Sequence, residues 1–165
     1  MKNKENKIYD FPLQETQRAY EEQFKSIDSI KQTIRTIFGA SSLIVSLTSG
    51  LQLVSNTIEP DWVGLYQAGI VSGAVLYVLL IVLCILGMWP TALDGPILLE
   101  WNVLTTAFAG MDEEDQKAKY LSSLLNVIEI NSPKVKRLMI LQRAALITLP
   151  VLVTALLLLA FIPRV

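Results

Sequence analysis

Histidine is missing from this 165-residue chain altogether, and cysteine occurs once, at Cys84. Without an imidazole a Ser-His-Asp relay is excluded, and a zinc site is nearly so with a single thiol to hand. Cys84 has no intrachain partner and, set among Val82, Leu83, Ile85 and Leu86, reads as a small packing residue. Charge is scarce too: 18% of residues are charged and the net charge is −1, so no field of one sign gathers nucleic acid or an anionic surface. Glycine-rich phosphate loops, paired-glycine dinucleotide fingerprints and kinase signatures are all absent. Glu100 and Glu129 stand alone on amphipathic stretches, with nothing near them in sequence to tune one as an acid and the other as a base. No catalytic, cofactor-binding or metal-ligating residue is therefore expected, and no enzyme.

What is present is apolar sequence, 52% of the chain. From Ala68 to Trp89 there is no charged side chain. At about 1.5 Å per residue this makes about 33 Å of helix, enough for a hydrocarbon core of about 30 Å. Two further uncharged stretches lie between Arg35 and Glu59 and between Arg143 and Arg164. The expected architecture is an all-α membrane bundle with spans over 36–58, 65–89 and 144–163, and an external turn at 59–64. A tail and amphipathic helix over 1–35 precede it, and a helical insert over 90–143 separates the second and third spans. Of the 14 lysines and arginines, Arg164 alone lies beyond the third span; all the others precede the first span or fall in the insert. The positive-inside bias then places the amino terminus and the insert in the cytoplasm and the carboxyl terminus outside. Trp62 and Tyr66 fit the outer interface and Trp89 the inner one. No secretory leader or lipid-anchor pattern is read, so the amino terminus is expected to stay as synthesised.

The cytoplasmic parts carry their own patterning. Tyr20, Phe24, Ile27, Ile30, Ile34 and Ile37 recur at threes and fours and predict a helix from about Glu15 that runs on into the membrane. After "WPTALDGP" a fresh helix is expected, with Ile97, Leu98, Trp101, Leu104, Thr105 and Phe108 on one face and Gly110 at its end. "MDEED" then supplies acids where a helix amino end favours negative charge; it lacks the alternating ligands and central glycine of a calcium loop. Tyr120, Leu121, Leu124, Leu125 and Ile128 follow on one side, and Ser132 with Pro133 signals the start of another helix leading into the third span. Lys134, Lys136, Arg137 and Arg143 form a basic cluster beneath the bilayer. They serve either as topological anchors on anionic headgroups or as contacts for an anionic nucleotide or acidic partner.

Within the spans the signals concern helix contact. Gly69 and Gly73 make a GxxxG pair, with Ala68 and Ser72 a second small pair one position back, so another helix is expected to approach closely. That helix is either a neighbour or this chain's own first or third span. In the first span Ser42, Ser46, Ser49, Gln52 and Asn56 recur at helical spacing, widened by Ser41, Thr48 and Ser55. Such a polar stripe must face another helix or water, so it is either interhelical glue or the lining of a path. Pro150 predicts a kink in the third span.

The stretch "YLSSLLNVIEINSPKVKRLMILQRAALITL", with a helix ending near Asn131, then Lys136 and Arg137, then Leu141 and Ala144 leading into a span, resembles small bacterial membrane effectors of antiphage defence. These are the SLATT-like and cyclic-nucleotide-linked transmembrane families. The resemblance implies a non-enzymatic, homo-oligomeric module that breaches the bacterial inner membrane when a cytoplasmic protein partner signals infection. Membrane lipids are the other partner; nucleic acid is not expected. The chain departs from those families in having a third span and no nucleotide-sensing domain. A membrane-anchored scaffold or accessory subunit without conduction is the competing class.

Overall fold

The computed structural model describes residues 10–53, 60–95 and 110–160, leaving aside the side chains of 50–53, 60 and 160. The expected helix over Ile97–Phe108, Glu100, Asn56, Arg164 and the side chain of Gln52 lie outside the described residues. Three α-helices, α1 (Asp10–Leu53), α2 (Val63–Met88) and α3 (Glu113–Ala160), account for nearly all of them, with a 3-10 turn at Pro60–Trp62 ahead of α2. The protein is all-helical, and α2 and α3 are long and apolar enough to cross a membrane.

Helix α1 begins about one turn before Glu15, because Pro12 sits in the first turn, where its missing N–H has no intrahelical partner to lose. Thr16 Oγ1 donates to the Pro12 carbonyl at 2.7 Å. Helix α3 differs more from the sequence expectation. It runs unbroken for 48 residues, about 72 Å, through the Ser132–Pro133 start signal. No new helix opens there, and none ends at Asn131. The reason lies in the spacing of the buried positions: Leu124, Asn131, Leu138, Ala145, Leu152 and Leu159 recur every seventh residue, while Pro133 is exposed on the far side. An interior proline removes one backbone bond and costs about 3 kcal/mol. A continuous packed stripe outweighs a local stop signal of that size.

The same repeat governs the other helices. Ile27, Ile30, Ile34, Ile37 and Ser41 are buried on α1, and Gly73, Leu80, Cys84 and Gly87 on α2. Threes and fours that sum to seven are the signature of left-handed coiled-coil packing.

Two compact units divide the chain: one comprises residues 1–29 and 90–137, the other 30–89 and 138–165. The first is the charged one. Lys117 Nζ bridges Asp10 at 2.8 Å and Glu113 at 2.9 Å, tying the starts of α1 and α3. Gln23 Nε2 donates to the Ile128 carbonyl at 3.3 Å, and Tyr20 meets Phe24 edge to face with ring centroids 4.8 Å apart. The second unit is mostly apolar, exposing Val71, Val75, Val82, Ile147, Val151 and Leu158 around its helices. Close packing between its helices is marked by small residues. Its glycines supply that contact. A Cβ on Gly87 would stand 2.5 Å from Ile34 Cδ1, and one on Gly69 would run into the Leu159 side chain.

Candidate functional site

The small face of α2 is used within the chain. Gly69 abuts Leu159 and Gly73 faces Leu156, so the helix that approaches the GxxxG pair is α3. Ala68 and Ser72 are exposed on a different side, and Ser72 Oγ donates to the Gly69 carbonyl at 2.9 Å. Gly87 was not marked by any motif. Its signal is numerical: it lies seven residues beyond Leu80 and fourteen beyond Gly73.

The polar stripe of α1 splits in two. Ser41 is fully buried and Ser42 half-buried; each hydroxyl donates to the Phe38 carbonyl at 2.9 Å, and Ser42 Oγ also lies 3.5 Å from Tyr77 Oη. Thr48 returns its hydroxyl to the Ile44 carbonyl at 2.8 Å. These groups are satisfied at home, as buried hydroxyls in an apolar setting must be. Ser46 and Ser49 are instead exposed, beside Leu43 at 67% and Leu47 at 68% exposure. Among the described residues, the hydroxyls of Ser46 and Ser49 on α1 are thus left uncovered.

The basic cluster also divides. Lys136, Arg137 and Arg143 are exposed, whereas Lys134 is held: its ammonium donates to Asp94 Oδ2 at 2.7 Å and to the Ala92 carbonyl at 2.8 Å. Beside it, fully buried Asn131 pairs both halves of its amide with one backbone residue. Nδ2 donates to the Asp94 carbonyl at 2.9 Å and Oδ1 accepts from the Asp94 N–H at 3.1 Å. Four hydrogen bonds thereby fasten the non-helical strap 90–95, which follows directly from α2, onto α3. Sequence reasoning gave Asp94 to a helix start and Lys134 to the membrane surface. The available clue was an asparagine exactly one heptad from Leu124 and from Leu138.

Near the starts of α1 and α3 the titratable groups are structural in character. The hydrogen bonds that Lys117 donates to Asp10 and then to Glu113 raise its pKa, and burial followed by repulsion from Tyr120 raises that of Tyr20. A shallow groove of about 330 Å³ along Tyr20, Glu21, Phe24, Lys25 and Asp28 mixes both signs of charge and converges on no single chemistry. Among the described residues no group of three or more His, Cys, Asp or Glu is placed to hold a metal ion.

The fold and these contacts define a class: an all-helical chain of heptad-patterned helices, two of them capable of crossing a membrane. Beyond that class, no family model matches the chain, and no curated protein or solved structure matches it either.

Proposed function

We propose that this chain is a three-span protein of the bacterial inner membrane, a homo-oligomeric effector that opens or disrupts the bilayer when a cytoplasmic partner acts on its insert, in antiphage defence. In this reading α1 supplies the first span, the insert and amino-terminal helix are cytoplasmic, and the carboxyl terminus is outside. One observation carries it: Ser46 and Ser49 are exposed in an apolar unit. In hydrocarbon a hydroxyl left without a partner costs free energy, so a second copy of the chain or a column of water covers that face. The broad exposed apolar surface of α2 and α3 is what a lipid-facing wall requires. Of the resemblance, the run of Lys136 and Arg137 through Leu141 and Ala144 into a span still supports the reading, whereas the helix end near Asn131 does not.

The test follows from the split stripe. Ser46→Leu with Ser49→Leu is expected to abolish depolarisation in cells expressing the chain, read with a potential-sensitive dye, while Ser42→Ala, on the inward side, leaves it. Unchanged depolarisation in the double variant overturns a polar path along this face.

A second reading, a membrane-anchored scaffold without conduction, is favoured by the inward half of the stripe. Ser41, Ser42 and Thr48 already satisfy their hydroxyls on the helix backbone, as packing groups do. A dye that stays silent with the activating partner present supports it.

A further inference from the structure

Asn131 occupies a core position whose heptad equivalents are Leu124, Leu138, Ala145, Leu152 and Leu159. A polar residue at such a position generally lowers stability relative to an apolar one and is retained for specificity or switching. Here, among the described residues, the hydrogen bonds of its amide go to the backbone of the strap. Asp94 is more than half exposed, and Lys134 keeps 30% of its side chain in solvent. The strap is therefore fastened by one buried, charge-independent pairing and one solvent-accessible ion pair.

We propose that residues 90–95 form a releasable latch, docked on α3 by Asn131 and Lys134 in the resting protein and freed when a partner acts on the insert, of which the strap is the first part. The difference between its two fastenings suits such a role. A competing acidic group can draw Lys134 away from Asp94 at the surface, after which two hydrogen bonds remain. A hydrogen bond exchanged for one to water contributes modestly to stability, so their loss lies within reach of ordinary binding energies. Once released, the Asp94 N–H and C=O meet water, and the strap pays no lasting penalty for leaving.

The switching role rests on the proposed effector function, but docking of the strap does not, and the experiment separates them. In full-length protein in membranes, with Cys84→Ser to remove the native thiol, Leu93→Cys on the half-buried strap residue reports docking through its rate of maleimide labelling. Adding Asn131→Leu is expected to raise that rate at least about tenfold, the scale of two lost hydrogen bonds. Circular dichroism should show the helices intact and the melting temperature unchanged or higher, because the core gains an apolar residue. Lys134→Met with Asp94→Asn, which spares the buried pairing, gives a smaller rise and serves if the first variant misfolds. Labelling unchanged in both variants overturns the latch. Faster labelling together with depolarisation in the absence of any partner supports the switch. Faster labelling without it, under conditions where partner-activated wild-type chain depolarises cells, overturns the switch. A wild-type chain that never depolarises counts against the effector function, and labelling alone then decides the latch.

Discussion

At the scale of single residues, the apolar unit depends on where side chains are missing. Gly87 and Gly73 are both buried on α2, yet they differ in the room around them: a Cβ would stand 2.5 Å from fully buried Ile34 at the first and 3.4 Å from Leu156 at the second. Alanine improves helix propensity by about 1 kcal/mol at either site, whereas overpacking a filled core costs about 1–3 kcal/mol. Gly73→Ala is accordingly expected to leave stability unchanged or slightly raised, and Gly87→Ala to lower it by about 1 kcal/mol. Reversible unfolding in detergent micelles measures both, and equal effects would mean that Ile34 yields freely. Gln23 illustrates the opposite situation. Its Oε1 is buried without a hydrogen-bond partner among the described residues while Nε2 donates to the Ile128 carbonyl.

At the scale of elements, the amino-terminal ends of α1 and α3 are joined by one lysine. Because Asp10 and Glu113 raise the folded-state pKa of Lys117, its contribution to stability is fully present below the unfolded value, about 10.4, and disappears as pH climbs through the higher folded one. Lys117→Met is therefore expected to lower the melting temperature at neutral pH, the difference shrinking as pH climbs past the raised folded-state pKa of the lysine. A gap between variant and wild type that survives at high pH would show that packing of the lysine stem, and not its charge, matters. Tyr20, whose pKa is raised by burial, adds alkaline sensitivity of the same sign to both proteins and cancels in the comparison.

The elements also show how far sequence can be read. The isoleucines of α1 and the charge-free run of α2 were legible because each repeats one physical requirement at every turn. Helix α3 was not legible as one element, since Ser132–Pro133 is a local start signal and only the seven-residue spacing of distant buried positions overrides it. Of the candidate site, the Gly69 and Gly73 contact was legible as a motif, though not its partner helix. The hold of Asn131 on Asp94 was invisible because the amide recognises backbone, which every residue carries, across 37 positions of sequence.

At the scale of the whole molecule, the proposed arrangement has three crossings and hence ends in different compartments. An accessible tag at the carboxyl terminus and a shielded one at the amino terminus are expected when intact spheroplasts are treated with protease. Two tags shielded together would remove the first span and return α1 to the cytoplasm. The distribution of charge agrees with the expected result: every lysine and arginine except Arg164 lies before the first span or within the insert.

A pattern that recurs every seventh residue is indifferent to sliding: moved lengthwise by one repeat, Leu124 or Leu138 would fill the place of Asn131 as far as apolar packing is concerned. Neither could offer the strap a donor and an acceptor. The single amide thus acts as the notch on an otherwise uniform rack, and of all the staggers that the leucines would accept, one alone leaves the Asp94 backbone satisfied.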